Sequence, residues 1–224
     1  MFRSLTAAAI ALSLTVLTGC TNPQATTGDG TQTAQPQTAT ASEPARKRDK
    51  LEGIPLEWTP TSELPKGGTL EHTAGGTVPK IEIRPITDNR EHPSLLGQNL
   101  ERKVPRKVTT PDNVAAFVTE KVRMLMARSR FDVVDSGGTM IVNANIRAFS
   151  VDETQIYRGD VDLAVTVTNP AGQVLWRGDA EGHAQRFGHS YRADNYYETL
   201  SDSLLEAVHS LAVNPGFRKA IATR

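Results

Sequence analysis

Cys20 is the only cysteine among the 224 residues, and its surroundings indicate lipid chemistry at its thiol. The basic Arg3 precedes a charge-free run, residues 5–17, which is too short to span a hydrocarbon core of about 30 Å. Together with the small residues before the cysteine, this pattern is typical of a secretory signal peptide. The tetrapeptide Leu17-Thr18-Gly19-Cys20 has the form of a lipobox, which a peptidase cleaves once a diacylglyceryl group is on the thiol. We therefore predict a signal peptide at 1–19 and a lipid-bearing Cys20.

The predicted anchor sets the membrane partner and the compartment. Cys20 has no second cysteine to pair with, so acylation explains it better than disulfide chemistry does. Two or more acyl chains hold a protein stably on a membrane, at about 0.8 kcal/mol for each buried CH₂ group. Thr21 follows the cysteine, where inner-membrane lipoproteins of enteric bacteria carry aspartate. We expect lipid anchoring in the outer membrane, with the chain facing the periplasm.

A second group of residues that could do chemistry is acidic. Asp160 and Asp162 alternate along one predicted strand, and Asp179 and Glu181 alternate along the next. A two-residue turn at 170–171 would set Asp162 opposite Asp179 and Asp160 opposite Glu181. Like charges directly opposed are unfavourable, which invites a metal ion or a catalytic carboxylate pair.

Arginines on the same predicted surface favour a different interpretation. The preceding hairpin would set Arg147 beside Asp160, and Arg177 lies on the same side of the sheet. We therefore predict that Arg147, Asp160, Asp162, Arg177 and Asp179 form a solvated contact face. Metal or ligand binding by its acids stays an alternative.

Other functional classes have little support in the sequence. The chain contains no nucleophile elbow, phosphate-binding loop or dinucleotide fingerprint, and its histidine spacing matches no metal motif. Its 25 basic and 25 acidic residues balance, so no overall field attracts nucleic acid. We predict no catalytic residue, no metal ligand, no cofactor and no nucleic-acid partner.

The elements that position these residues follow from hydrophobic periodicity. We predict an α+β fold, a two-layer sandwich of one mostly antiparallel sheet with two helices on one face, in the order β-α-β-β-β-β-α. The strands fall near 80–84, 131–134, 140–147, 160–167 and 174–185, and the helices near 110–129 and 194–213. Small residues on one side of the last strand, such as Gly182, leave room for a helix to approach. Residues 88–109 are expected to be a long loop.

Composition divides the chain after the signal peptide. Residues 21–45 are rich in Thr, Gln, Ala, Pro and Gly, and prolines and glycines continue to residue 78. Such segments bury too little apolar surface to offset the entropy of ordering. We predict a disordered tether at 20–78 and a folded domain at 79–222.

The segment after the first predicted strand carries a distinctive pattern. Ile86-Thr87-Asp88-Asn89-Arg90 ends a strand with an Asp-x-Arg element, and the apolar–glycine pair Leu96-Gly97 follows. This pattern resembles the YajG family of bacterial lipoproteins. The resemblance covers roughly 78–222 and rests most sharply on Asp88, Arg90 and Gly97. The resemblance implies an envelope lipoprotein, and it does not point to any particular reaction. Asp88 and Arg90 are expected to pair and fix the loop, with ligand contact as the alternative.

Three functional classes follow from these observations. The first is a non-catalytic outer-membrane lipoprotein whose tethered domain serves envelope assembly or maintenance through contact with another envelope protein. The second is an accessory lipoprotein of an envelope transport or lipopolysaccharide-assembly machine. The third is a ligand- or metal-binding lipoprotein that uses its acidic sheet face.

Overall fold

Eight strands join in one mixed sheet, and three helices pack against it, in a computed structural model that describes residues 51–63 and 79–222. The predicted α+β sandwich is confirmed. The elements, in chain order, are β1 Lys80–Ile83, β2 Thr87–Asp88, β3 Leu95–Asn99, β4 Arg106–Thr109, α1 Val114–Arg128, β5 Asp132–Val134, β6 Met140–Glu153, β7 Tyr157–Thr168, β8 Val174–Arg186, α2 Ala193–Val213 and α3 Pro215–Ala222.

The long strand β6 organises the sheet. One of its edges pairs antiparallel with β7, and β7 pairs antiparallel with β8. The other edge carries three short parallel strands in succession: β1 pairs near Val142, β2 at Asn145 and β3 at Val151. β5 extends the sheet beyond β1, and β4 extends it beyond β3. The long hairpins are therefore antiparallel as predicted, while the strands on the far side of β6 are mainly parallel.

The predicted loop at 88–109 is wrong, because this region contains β3 and β4. Each of these strands has at most five residues, so neither shows a long alternating pattern. Besides β4, β3 pairs with β6, which lies more than fifty residues further along the chain, where Gly97 pairs with Val151. Local sequence therefore carries little information about them.

The proline-marked start of α1 differs from the prediction, whereas the end of α2 agrees with it. Asn113 caps α1, since its side-chain oxygen accepts from the Ala116 N–H at 3.0 Å. Thr110, where the helix was predicted to begin, instead accepts from the Asp112 N–H at 3.1 Å. Pro215 ends α2 as expected and also begins α3, because proline fits the first helical turn, where no intrahelical N–H bond is lost.

A segment of the predicted tether is part of the folded domain. Residues 51–63, here called the strap, bury Leu51 and Ile54 to 0% and 5% exposure. The Ile54 N–H donates to the Thr109 carbonyl at 2.9 Å, and the Thr109 N–H donates to the Leu51 carbonyl at 3.0 Å. The Trp58 ring lies 6.5 Å from that of Phe117. The tether prediction is therefore wrong for the strap, because its apolar side chains cover the domain.

The packing of α2 on β8 confirms the role predicted for small residues. A Cβ atom at Gly182 would lie 2.1 Å from the Ser203 carbonyl oxygen and 2.3 Å from the Ala207 nitrogen. The backbone of α2 thus sits directly on β8, which a larger side chain would prevent. Along α2, an apolar stripe at helical spacing is buried at Tyr197, Leu200, Leu204, Val208 and Leu211.

Candidate functional site

The outer face is the side of β6, β7 and β8 that is turned away from the helices, and it carries the predicted contact residues. The predicted pairing between β7 and β8 is wrong: Asp162 lies opposite Glu181, and Asp179 lies opposite Ala164. The cause is the hairpin loop, which closes at Asn169 and Gln173 with Gly172 in a left-handed conformation at φ +81°. This longer loop shifts the register by one residue, and an irregularity between Val167 and Thr168 shifts it by one more.

The pairing between β6 and β7 also differs from the prediction. Ile146 lies opposite Leu163, not Val161, and the ladder is irregular at Arg147. This bulge inserts one residue and reverses the alternation, so that Phe149 and Val151 point inward after it. Arg147 consequently reaches Asp162 and not Asp160.

Arg147 neutralises two of the four acids in the predicted cluster. Its Nε and Nη2 atoms donate to Asp162 at 2.9 and 2.8 Å, and Nη2 also forms an ion pair with Asp179. The hydrogen bond to Asp162, followed by the charges of both acids, raises the pKa of the Arg147 guanidinium above its ordinary value. The arrangement leaves these carboxylates in an ion-pair network on an open surface.

Asp160 and Arg177 stand apart from that network. Asp160 lies 3.1 Å from His183 Nδ1, and both side chains are largely exposed. They border an open hollow of about 420 Å³ that Asp152, Arg158 and Gln185 also line. Arg177 is exposed and lies opposite Thr166. In the described ranges, no three His, Cys, Asp or Glu side chains are grouped so that they could hold a metal ion.

Asp88 and Arg90, from the family-like segment, form a nearly buried ion pair. Their side chains are 8% and 9% exposed. Arg90 Nε and Nη2 donate to the Asp88 carboxylate at 2.9 and 2.7 Å. Nη1 donates to the carbonyls of Leu95 and Phe149 at 2.8 and 2.9 Å, and Nη2 also donates to the carbonyl of Pro93. All five N–H donors of the guanidinium are thereby used. The pair fastens the β2–β3 connection onto β6.

Gly97, the third residue of the resemblance, allows β3 to approach β6. It adopts φ +142°, and a Cβ atom there would lie 1.9 Å from the Val151 carbonyl oxygen. A residue with a side chain would collide with the backbone of β6. Asp88, Arg90 and Gly97 therefore act together in holding β2 and β3 against one strand.

Glu153, a fully buried acid at the end of β6, is not among the residues predicted from the sequence. Its Oε2 accepts from the Tyr196 hydroxyl at 2.7 Å, and Oε1 accepts from the Tyr191 N–H at 2.6 Å. Burial, reinforced by Glu153, raises the pKa of Tyr196, and burial raises the pKa of Tyr157 to about 12. The alternation that places Ile146 inward would put Glu153 on the outer face, and only the bulge at Arg147 turns it inward.

Some of the predicted residues cannot be placed. The signal peptide, the lipobox residues Leu17, Thr18 and Gly19, and Cys20 lie outside the described residues, as do most residues of the predicted tether. Within the ranges that the structure covers, no helix is long and apolar enough to cross a membrane.

No family model matches the chain, and no curated protein matches it. Solved structures that match this chain include protein XCC0632 of family DUF330 from Xanthomonas campestris, with a TM-score of 0.47 and 8% identity over 59% of this chain and 81% of that one. A candidate lipoprotein from Caulobacter crescentus CB15 has a TM-score of 0.41 and 6% identity over 57% and 92% of the two chains. Lipoprotein GNA1162 from Neisseria meningitidis has a TM-score of 0.30 and 9% identity over 50% and 88%. Membership of the YajG family stays a prediction.

Proposed function

We propose that this chain is a lipid-anchored lipoprotein of the outer membrane whose periplasmic domain acts by contact with another envelope protein. In this proposal it takes part in envelope assembly or maintenance and catalyses no reaction. The observation that carries the proposal is the outer face of β6, β7 and β8, where charged side chains stand on an open surface of three long strands.

The geometry of the charges favours contact over catalysis. A catalytic carboxylate needs a partner at a defined distance and a site that excludes water. Asp162 and Asp179 are instead both paired with Arg147, and Asp160 is about half exposed beside His183. Exposed ion pairs contribute little to stability, so such charges are free to be used for recognition.

The anchor in this proposal rests on the lipobox ending at Cys20. About thirty residues separate Cys20 from the strap, and a chain of that length extends to at most about 100 Å. That reach is about half of what a tether ending at residue 78 would allow. The domain would therefore act within a limited shell around its membrane.

The anchor is tested by the variant Cys20→Ser. We expect the variant to lose incorporation of labelled palmitate and to leave the membrane fraction, since an unacylated chain has no hydrocarbon to insert. A variant that still takes up palmitate and sediments with membranes would overturn the assignment of Cys20.

The contact face is tested by reversing two of its exposed charges, Asp160→Lys with Arg177→Glu. Neither change touches the Arg147 network, so the thermal melt should shift by less than about 2 °C. Cross-linking in intact cells should then capture less of the partner. A matched pair elsewhere on the surface, Asp135→Lys with Arg128→Glu, should leave cross-links unchanged. Equal cross-linking in both double variants would show that the contact surface is elsewhere.

A further inference from the structure

We infer that one end of the domain binds the anionic surface of a lipid bilayer. This end, here called the basic tip, consists of residues 100–107 and 186–192, in which two loops meet beside the ends of β4 and β8. The inference is independent of the outer face, because it concerns a different part of the domain and a different partner.

The first observation is the exposure of large apolar side chains. In the described ranges, the two most exposed are Phe187 at 84% and Val104 at 76%, and both belong to the basic tip. Single exposed apolar residues are common on protein surfaces. Two of them at the ends of touching loops form a feature that could enter the interface of a bilayer.

The second observation is that the two loops are fastened to each other. The Ser190 hydroxyl donates to the Glu101 carboxylate. The Arg106 guanidinium lies 4.4 Å from the centre of the Tyr191 ring, a cation–π contact. Buried Glu153 holds the Tyr191 N–H at 2.6 Å, so the second loop is also fixed to the core. Val104 and Phe187 are therefore carried by two loops that are bonded to each other and fixed to the core.

The third observation is the charge around these side chains. Arg102 and Lys103 directly precede Val104, and Arg106 and Lys107 follow it after a proline. The one acid of this segment, Glu101, is already engaged by Ser190. Cations that surround a protruding apolar residue match a surface of anionic headgroups above hydrocarbon. Such a surface attracts each nearby Lys or Arg and accepts the apolar side chain beneath it.

An anionic bilayer is a better match than a protein groove or nucleic acid. A protein groove requires a shaped ridge, whereas Val104 and Phe187 project from separate loops. Single-stranded nucleic acid would require stacked aromatic platforms, and the Tyr191 ring is already covered by Arg106. A lipid-anchored chain stays close to a bilayer, so even a weak second contact would be populated.

The test uses a chain of residues 21–224, which lacks Cys20 and keeps the strap and every other described residue. Sedimentation with vesicles measures the partition coefficient, once with phosphatidylcholine alone and once with an equal share of phosphatidylglycerol. We expect binding to the anionic vesicles, at least tenfold weaker binding to the neutral ones, and loss of binding at about 1 M salt, where the screening length falls to about 3 Å. Equal binding to both vesicle types, or to neither, overturns the inference.

Variants then locate the contact. Arg102→Ser with Lys103→Ser should weaken partition by about twenty-fivefold, since each cation near an anionic surface contributes about fivefold. Phe187→Ser should weaken it by at least tenfold through the loss of inserted apolar area. The control is Val174→Ser with Leu175→Ser, an exposed apolar pair about 40 Å away at the other end of β8. Only variants whose melting temperature matches that of the wild type are compared. Weaker binding in the control, or unchanged binding in the tip variants, overturns the inference.

Discussion

Replacing Arg90 by methionine tests whether the Asp88–Arg90 pair is a structural fastening. Methionine has a similar length and no charge, so the change removes donors while keeping most of the volume. The Asp88 carboxylate would remain 8% exposed without its cation. The carbonyls of Leu95 and Phe149, which Arg90 holds at 2.8 and 2.9 Å, would also lose their donor.

The expected magnitude follows from that geometry. Removing one partner of a buried ion pair costs about 3–5 kcal/mol, because the remaining charge is left uncompensated. For a domain of this size, each kcal/mol lowers the melting temperature by about 2–4 °C. We therefore expect Arg90→Met to lower the melting temperature of the 21–224 chain by roughly 6–20 °C, with a matching fall in the urea midpoint.

Two controls separate this fastening from a general effect of losing a charge. Arg192 also pairs with an acid, Asp194 at 3.3 Å, but both side chains are exposed, at 39% and 69%, so Arg192→Met should cost less than about 1 kcal/mol. The double variant Asp88→Asn with Arg90→Met should recover part of the loss, since no buried charge is left alone. The reasoning is refuted if Arg90→Met costs no more than Arg192→Met.

Three further predictions concern backbone space, the strap and the buried tyrosines. Gly97→Ala should cost about 3 kcal/mol or more in urea unfolding, whereas Gly137→Ala, which also has positive φ but has open space around it, should cost only about 1–2 kcal/mol. A chain that begins at residue 79 should lose about 3–6 kcal/mol of its free energy of unfolding, because Leu51 and Ile54 no longer cover the core; an unchanged melt would contradict the packing of the strap. The pKa of Tyr157 is raised from 10.0 to about 12. Its stabilising contribution is therefore present below about pH 10 and is lost as the pH rises towards about 12. Across this range the urea midpoint should fall less steeply with pH in Tyr157→Phe than in the wild type.

The sequence predicted the elements that have strong local periodicity. β6, β7 and β8 alternate over twelve or more residues each, and the buried stripe of α2 repeats at helical spacing. The register in which these strands pair was harder to predict from the sequence, because it depends on the conformation of individual backbone residues. A left-handed Gly172 and a bulge at Arg147 each alter which residues face one another, and neither changes the hydrophobic pattern enough to be recognised beforehand.

Other features depend on distant parts of the chain and could not be predicted locally. Glu153 is stabilised by Tyr191 and Tyr196, which follow it by about forty residues. The strap consists of apolar residues scattered among prolines, and the surface it covers belongs to β4, α1 and α2. The pairing of Asp88 with Arg90 was predicted because the two residues are close in sequence; the carbonyls that complete the site were not.

The strap also determines how mechanical load would enter the domain if the chain is held at Cys20. Tension arriving from the amino-terminal side meets residue 51 before it reaches β1. It would first act on the hydrogen bonds at Thr109, then on the Asp112 carboxylate that accepts the Leu56 N–H at 2.7 Å, and last on Asp202, which receives the Thr61 and Ser62 N–H groups at 2.8 and 3.0 Å. These contacts follow one another along the strap, so they would break one after another. These contacts would thus take up a transient pull before β1 carried any of the force.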